Sequence, residues 1–256
     1  MPAMTSPHLT LLTGASRGMG LAMASQLLHA GHDLVCISRR THDGLVAQAA
    51  TAGVSCEQWA FDLAQPEAAA ERLAQWLRDR GPSGLASVTL INNAGVIPRL
   101  APLADIAPGD LSNALRVGLE APMLLTAAFL RATRDWGCTR KVLNISSGLG
   151  RRAMASSAAY CAAKAGMDHY TSCIALEEAL QPGGARVCSL APGVIDTDMQ
   201  VQLRGADARE FPDLDGFIQL KSKGQLASPQ DAAARVLAFL ARPDFGSRPV
   251  ADVREP

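Results

Sequence analysis

The sequence predicts an α/β fold in one domain, in which a doubly wound parallel sheet carries helices on both faces. Short, continuously apolar runs of strand length alternate with longer segments whose apolar residues recur every three or four positions. Strands of this kind are typical of parallel sheets that are covered on both faces by crossover helices. The chain has 256 residues, 48% of them apolar, which suits one such domain with a large core.

The predicted elements follow one another in a regular order. The strand-length runs lie at residues 9–12, 34–38, 59–61, 88–91, 142–145 and 187–190. Helical periodicity covers residues 19–30, 45–52, 67–80, 111–136 and 157–180. Gly31, Gly53 and Gly81 follow the first three helices, where a left-handed cap is favoured. Ser228 and Pro229 have the residue types of an N-cap and first helical position, which predicts a last helix through Ala241.

Composition limits the classes of partner. The 24 basic and 24 acidic side chains balance, which argues against nucleic acid or an anionic membrane as the main partner. No run of apolar residues reaches transmembrane length and the N-terminus does not resemble a signal peptide, so we expect a cytoplasmic protein. Six cysteines occur without a closely spaced pair, which predicts small buried apolar residues in a reducing compartment and no metal site.

A glycine-rich loop follows the first strand and opens the first helix. Residues 13–20 read Thr-Gly-Ala-Ser-Arg-Gly-Met-Gly. Its three glycines permit a tight turn, close approach of the backbone to a pyrophosphate, and tight packing of the helix on the strand. The helix N-terminus offers free N–H groups to phosphate oxygens. The loop therefore predicts a Rossmann dinucleotide site, with these candidate contacts: Gly14, Ser16, Arg17, Gly18, Met19 and Gly20.

The residues beside this loop favour NADP(H) over NAD(H). Sites that prefer NAD usually place an acid at the end of the second strand, where this chain has Ser38 followed by Arg39. Arg17 adds a second cation within the loop itself. Because arginine supplies positive charge and forked donors, both arginines are candidates to bind the 2′-phosphate of NADP(H). The alternative is that Arg39 and Arg40 are solvated loop residues.

Five motifs together resemble those of the short-chain dehydrogenase/reductase family. They are the loop at residues 13–20, Asn-Asn-Ala-Gly at 92–95, Ser147, Tyr-Cys-Ala-Ala-Lys at 160–164 and Pro192-Gly193. They occur in the family's order and spacing and span essentially the whole chain. The resemblance implies a carbonyl reductase that binds a small carbonyl substrate, in which Tyr160 protonates the carbonyl oxygen while NADPH delivers hydride to carbon. It also implies that Ser147 binds that oxygen and that Lys164 holds the nicotinamide ribose.

Residue chemistry supports the role of the tyrosine. Tyr160 and Lys164 are four residues apart and share one face of the predicted helix. A free phenol has a pKa near ~10, and a neighbouring ammonium group favours the phenolate. We therefore expect Lys164 to lower the pKa of Tyr160.

Further cofactor contacts are implied by the resemblance alone. Asp62 with Leu63 matches the segment that contacts adenine, although Asp62 could instead be a simple turn residue. Asn93, Ala94 and Gly95 match the adenosine ribose side of the groove, whereas we expect Asn92 to brace the sheet. The contacts to the carboxamide end of the nicotinamide are then implied for the segment that contains Pro192, Gly193, Ile195 and Thr197.

One position departs from the family pattern. The long helix normally carries an asparagine that supports a water relay from the catalytic lysine, and this chain has Gly118 there. A glycine inside a helix also costs ~1 kcal/mol relative to alanine. The substitution leaves an alternative open, namely an NADP(H)-binding sensor or scaffold with weak or no turnover.

The later third of the chain resembles the sepiapterin reductase and benzil reductase group. The resemblance implies a 1,2-diketone or a pterin-like ketone as substrate. Residues 197–224 show no strand pattern and predict a mobile substrate-covering segment, in which Met199 contacts the substrate. Phe211, Phe217 and Leu220 either line that apolar pocket or pack as an ordinary helical segment. Asp252 lies near the position of a pterin-anchoring acid, but a surface aspartate is the favoured interpretation.

Quaternary structure is expected by analogy with the family. Its members usually associate through the two long helices, here predicted at residues 111–136 and 157–180. The resemblance therefore implies a homodimer or a homotetramer.

Overall fold

The computed structural model describes residues 7–255. Seven parallel strands form one sheet in the order β3-β2-β1-β4-β5-β6-β7. The strands are β1 (His8–Thr13), β2 (His32–Ser38), β3 (Cys56–Ala60), β4 (Ser87–Asn92), β5 (Thr139–Ile145), β6 (Arg186–Ala191) and β7 (Val250–Asp252). Strands β2 and β3 are added on one side of β1, and β4 is added on its other side. This change in the order of addition opens a crevice at the carboxyl ends of β1 and β4.

Helices cover both faces of this sheet, as predicted for the doubly wound fold. They are α1 (Gly18–His29), α2 (Asp43–Ala52), α3 (Glu67–Arg80), α4 (Pro108–Leu115), α5 (Ala121–Thr133), α6 (Ala158–Ala179), α7 (Asp198–Arg204), α8 (Leu214–Ser222) and α9 (Pro229–Ala241). One core cluster contains buried residues of α1, α2 and α9 together with Leu12 and Cys36 of the sheet. A second cluster contains those of α3 and α5 with Leu11 and Val35, so successive strand residues serve opposite faces.

The helix ends follow the sequence signals. Gly31, Gly53 and Gly81 all have positive φ, of 84°, 69° and 62°. Gly53 adopts the predicted left-handed cap, whereas the prediction is wrong for Gly81, whose ψ of 175° lies outside the left-handed helical region. At the start of α9 the Ser228 hydroxyl accepts a hydrogen bond from the Asp231 N–H at 3.0 Å, and Pro229 is the first helical residue. The predicted cap and the end at Ala241 are therefore confirmed.

The long helix predicted over residues 111–136 is wrong as one continuous element. A π-helical turn (Arg116–Glu120) separates α4 from α5. The reason lies in Pro122, which has no N–H to offer to the carbonyl of Gly118 four residues earlier. In the π turn the Ala121 N–H donates to the Arg116 carbonyl, five residues earlier.

The rest of the chain differs from the prediction in three places. Residues 197–224 are not irregular, because they contain α7 and α8. The three-residue strand β7 has no distinctive sequence pattern and was not predicted. The prediction that the cysteines are buried holds for Cys36 and Cys188 and is wrong for Cys173, which is exposed, while the other three are partly buried. Within residues 7–255, no helix has both the length and the apolar composition to cross a membrane.

Candidate active site

The glycine loop closes tightly on the carboxyl end of β2. Gly14 has a φ of 71° and donates its N–H to the carbonyl of Ile37 at 2.9 Å. The Ala15 N–H donates to the Ser38 hydroxyl oxygen at 2.9 Å. A Cβ on Gly20 would lie 2.0 Å from the Gly14 carbonyl oxygen, so the start of α1 reaches this loop only because residue 20 is glycine. The three-glycine arrangement thus forms the strand–loop–helix junction that was predicted.

Two asparagines after β4 brace this junction and the sheet. The Asn93 side-chain amide donates to the carbonyls of Thr13 at 3.0 Å and Gly14 at 3.2 Å. The amide of Asn92 donates to Asn144 of β5 at 2.8 Å and to Thr126 of α5 at 3.1 Å, which confirms its bracing role. The side chain of Asn93 is therefore engaged with the glycine loop, and a cofactor contact at this position stays a prediction.

The cations predicted to bind a 2′-phosphate have different surroundings. Arg17 forms an ion pair at 2.6 Å with Asp198, the first residue of α7, and both side chains are exposed. Arg39 and Arg40 are exposed beside the end of β2, and within residues 7–255 neither has an ion-pair or hydrogen-bond partner. Arg17 therefore joins the glycine loop to the predicted substrate-covering segment, while Arg39 and Arg40 are available to an anion.

The remaining predicted cofactor contacts are grouped around the same crevice. Asp62 is exposed and its carboxylate accepts the Ala64 N–H at 3.0 Å, which is the geometry of a turn residue with a second oxygen still free. Met19 and Leu63 place their side chains in the two core clusters, so a cofactor could contact only their backbones. A Cβ on Gly95 would lie 4.0 Å from the Lys164 ammonium nitrogen, which links the cofactor crevice to the catalytic helix.

The segment after β6 leads from the crevice into α7. Pro192 is buried, and Gly193 has a φ of 83°. Ile195 pairs with Ala227 in an isolated bridge, and the Thr197 hydroxyl donates to the Ile195 carbonyl at 3.5 Å. A Cβ on Gly18 would lie 3.5 Å from the Thr197 methyl group, so this segment and the start of α1 approach each other closely.

Ser147, Tyr160 and Lys164 meet where β5 ends beside α6. Ser147 lies close enough to Tyr160 to act on the pKa of its phenol. The Lys164 ammonium lies 5.8 Å from the centre of the Tyr160 ring and donates to the Ile145 carbonyl at 2.7 Å. Tyr160 and Lys164 are 9% and 4% exposed, so both polar groups lie in a largely dry site. The structure therefore brings the three predicted catalytic side chains together.

Burial acts on the two ionisable groups in opposite directions. It raises the pKa of Tyr160, and the neighbouring Ser147 hydroxyl opposes this shift in part. It lowers the pKa of Lys164 to about 8, against the opposing effect of the Asp168 carboxylate. The expectation that Lys164 lowers the pKa of Tyr160 below its usual value is wrong for this chain, because desolvation of the phenolate dominates.

Gly118 lies in the π-helical turn and packs against the catalytic helix. It is buried, and a Cβ at this position would lie 3.0 Å from the Cβ of Ala163. Ala163 directly precedes Lys164 in α6. Glycine at position 118 thus allows the π turn to approach α6 closely beside the catalytic lysine.

An apolar cluster surrounds Tyr160, and we call it the Tyr160 cluster. Its buried members are Ile97, Leu100, Met154, Tyr160, Leu203 and Phe211. Met199 and Phe217 are partly buried against it, and the rings of Phe211 and Phe217 lie 5.5 Å apart. Arg99 forms an ion pair with Glu210, next to Phe211. Residues of the predicted substrate-covering segment therefore pack directly around Tyr160, whereas Leu220 is not part of the cluster.

Two acidic residues near the catalytic helix differ from expectation. Asp252 is only 5% exposed, so its interpretation as a surface aspartate is wrong. Its carboxylate binds both Nε of Arg254, at 2.8 Å, and the terminal guanidinium nitrogen, at 2.6 Å. Asp168, which was not among the predicted site residues, is buried on α6. Its available sequence signal is the spacing of four residues from Lys164 on one helix face.

Comparison with known proteins places this geometry in a family. The family model described as short chain dehydrogenase matches residues 8–208. A benzil reductase ((S)-benzoin forming) of Bacillus cereus is 33% identical over 235 residues, which are 92% of this chain and 94% of that protein. A sepiapterin reductase of Meriones unguiculatus is 34% identical over 257 residues, covering 93% and 92%.

A solved structure gives a similar result. A protein from Agrobacterium tumefaciens, described as a 2-deoxy-D-gluconate 3-dehydrogenase with bound NADP, has a TM-score of 0.78 and 29% identity. The match covers 96% of this chain and 94% of that one.

Proposed function

Because the chain belongs to the short-chain dehydrogenase family, we propose that it is an NADPH-dependent carbonyl reductase that transfers hydride to a ketone. The observation that carries the proposal is the position of the Tyr160 hydroxyl. It is buried in an apolar cluster beside Ser147, and burial raises the pKa of the phenol, so the phenol stays protonated at neutral pH. A protonated phenol in a dry pocket is suited to donate a proton to a carbonyl oxygen.

The donor set of the crevice fits NADP(H). Arg39 and Arg40 are exposed cations beside the glycine loop, and Ser38 stands at the strand end where an acid would repel a 2′-phosphate. Arg17 can join them if it leaves Asp198. The start of α1 offers its free N–H groups to the pyrophosphate. When bound, NADPH supplies the hydride. The bound NADP of the Agrobacterium tumefaciens structure adds support.

Three side chains of this chain would act on the substrate carbonyl. Tyr160 donates its phenolic proton to the carbonyl oxygen as negative charge develops there. Ser147 donates a second hydrogen bond to the same oxygen from a loop fixed at the end of β5. Lys164, held by the Ile145 carbonyl, contributes positive charge beside Tyr160 and stabilises the phenolate that remains after proton transfer.

We further propose a diaryl 1,2-diketone such as benzil as the substrate class. The side chains packed around Tyr160 are apolar and aromatic, among them the partly buried Met199 and Phe217 and the fully buried Phe211. The name of the Bacillus cereus relative supports the same class. A pterin-like ketone is the second substrate class, supported by the name of the Meriones unguiculatus relative. Asp252 gives this class little support, since Arg254 already occupies its carboxylate.

A sensor or scaffold that binds NADP(H) without turnover is the alternative function. Gly118 favours it, because the chain lacks the amide that supports the lysine relay in the family. The presence of Ser147, Tyr160 and Lys164 in one dry site favours the reductase.

The test is consumption of NADPH with benzil, followed by its absorbance and by analysis of the benzoin formed. Diacetyl serves as the matched small diketone and sepiapterin as the pterin ketone. We expect turnover with benzil and a much lower kcat/KM with diacetyl, which has no aryl groups to contact the Tyr160 cluster. Tight NADPH binding with no turnover of any of these carbonyls would support the sensor instead.

A further inference from the structure

Asp168 is a buried carboxylate one helical turn beyond the catalytic lysine. It lies on α6, four residues after Lys164, and is 6% exposed. The Ser189 hydroxyl of β6 donates to its Oδ1 at 2.6 Å. Its Oδ2 is buried and accepts no hydrogen bond from residues 7–255. A buried carboxylate that is only half satisfied is costly, so its retention here requires an explanation.

The loop that follows Ser147 packs directly against this carboxylate. A Cβ on Gly150 would lie 2.7 Å from Oδ2 of Asp168 and 3.0 Å from the carbonyl oxygen of Lys164. The turn Gly148–Gly150 begins at Ser147, whose hydroxyl oxygen accepts the Leu149 N–H at 3.2 Å. The same short loop therefore orients Ser147 at one end and contacts Asp168 and Lys164 at the other.

The charge environment of Lys164 includes groups on every element packed around it. On its own helix are Tyr160 and Asp168, and the Cys188 thiol of β6 faces Asp168. The loop after β5 contributes Arg151, whose Nε lies 3.9 Å from Oδ2 of Asp168. At β7, Asp252 and Arg254 form a close pair that Arg151 also approaches, at 3.9 Å. Arg254 thus largely neutralises Asp252.

Burial and Asp168 act on Lys164 in opposite directions. Burial lowers the pKa of Lys164 to about 8, and the Asp168 carboxylate raises it. Without that carboxylate, desolvation would act unopposed and a larger fraction of Lys164 would be neutral at physiological pH.

We infer that Asp168, buried one helical turn from Lys164, is a positioning residue of the proposed reductase: its carboxylate supports the positive charge of Lys164 and, together with Arg151, holds the loop after Ser147 against α6. The role in catalysis rests on the proposed function, whereas the effect on the charge of Lys164 does not. Asp168 acts through Lys164 and Ser147 and has no contact with the substrate in this scheme. Its carboxylate supports the charge of the lysine at a site where Gly118 provides no side-chain amide.

The charge of Lys164 can be measured directly, because the chain contains only Lys141, Lys164, Lys221 and Lys223. Protein labelled with carbon-13 at the lysine ε position gives at most a few resonances, and Lys164→Arg assigns the one of interest. In a pH titration of the full chain, we expect Asp168→Asn to lower the midpoint of Lys164 by about one pH unit. The same midpoint in Asp168→Asn and the wild type would overturn the inference.

Two control variants separate charge from packing. Ser189→Ala removes the hydrogen bond to Asp168 but leaves the carboxylate charged, so the midpoint of Lys164 should stay near the wild-type value. Glu177→Gln removes one exposed carboxylate from the same helix and should leave the titration midpoint of Lys164 unchanged. A fall in Ser189→Ala as large as in Asp168→Asn would contradict a charge effect. If Asp168→Asn does not fold, Asp168→Ser provides the same test with a smaller neutral side chain.

A kinetic measurement then tests the catalytic part. In the pH profile of kcat/KM for benzil, Asp168→Asn should move the alkaline limb to lower pH by the same amount as the Lys164 midpoint. If Asp168→Asn shifts the titration midpoint of Lys164 but leaves the alkaline limb of the kcat/KM profile unchanged, the proposed role of Asp168 in catalysis is contradicted. If the wild type reduces no carbonyl, the proposed function fails, while the titration still decides whether Asp168 sets the charge of Lys164.

Discussion

Burial shifts the pKa values of Tyr160 and Lys164, the two ionisable residues of the candidate active site, in opposite directions. Tyr160 stays a neutral phenol at physiological pH because its pKa is raised. The pKa of Lys164 is lowered to about 8, which is much closer to physiological pH than the usual value for a lysine. At a pH below the pKa of Lys164, the pair therefore consists of a proton donor and a neighbouring cation, which is the combination that carbonyl reduction needs. Residue spacing predicts that these two side chains share a helix face. It does not predict that the pKa of Tyr160 is raised, because the burial of this side chain depends on packing against residues distant in sequence, such as Phe211.

At the same scale, Arg39 is the residue that we propose gives the preference for NADPH. We predict that Arg39→Asp lowers the ratio of kcat/KM with NADPH to that with NADH by roughly tenfold or more, because a charge-assisted contact is replaced by repulsion of the 2′-phosphate. The measurement is steady-state kinetics with both cofactors at one benzil concentration. Arg134→Asp makes the same charge change at an exposed position at the end of α5 and should leave the ratio unchanged. An unaltered ratio in Arg39→Asp would remove this argument for NADPH.

Among the elements, the π-helical turn is where helical periodicity gave the wrong prediction. Apolar spacing continues through residues 111–136, so the pattern alone predicts one helix. The interruption depends on Pro122, which withholds a donor, and on contact with α6, which the local sequence does not describe. The strands, the glycine loop and the caps were predictable because their signals are local. The ion pair between Arg17 and Asp198 was not, since it joins residues 181 positions apart.

The packing of this turn makes a prediction about stability. Helix propensity alone predicts that Gly118→Ala stabilises the protein by ~1 kcal/mol. Because a Cβ at position 118 would lie 3.0 Å from the Cβ of Ala163, we predict instead that Gly118→Ala lowers the free energy of unfolding by about 1–3 kcal/mol through overpacking. Urea denaturation measures the free energy of unfolding. Adding Ala163→Gly removes the contacting methyl group and should recover part of the loss, as a double-mutant cycle would show. A higher free energy of unfolding for Gly118→Ala than for the wild type would contradict this prediction and show that the π turn can move away from Ala163.

Over the whole molecule, the sheet order brings separate motifs to one crevice. The glycine loop follows β1, Asn93 follows β4, Ser147 follows β5 and Gly193 follows β6, and all four strands end at the same edge. Alternation of strands and helices predicted this arrangement, since parallel strands place their carboxyl ends together. The short strand β7 was not predictable, because three residues carry too little periodicity to distinguish a strand from a loop.

Association of whole chains is predicted through α5 and α6. Met123, Leu176 and Leu180 are 45%, 73% and 82% exposed on these helices, which leaves apolar side chains in solvent in the isolated chain. We expect light scattering to give the mass of a dimer or tetramer for the wild type. Leu176→Lys with Leu180→Lys should reduce that mass, whereas Val46→Lys, an exposed apolar position on α2, should not. A monomeric wild type would contradict this prediction.

The most direct test of the central claim is the single-turnover reduction of benzil by Tyr160→Phe loaded with NADPH. The variant removes one hydroxyl oxygen and keeps the ring that packs in the Tyr160 cluster. Because we propose that the hydroxyl donates the proton, we predict that the rate falls at least about a hundredfold while the affinity for NADPH stays nearly unchanged. Tyr170→Phe, the same change on the same helix outside the triad, should retain turnover. Retained reduction by Tyr160→Phe would contradict the assignment of Tyr160 as the proton donor.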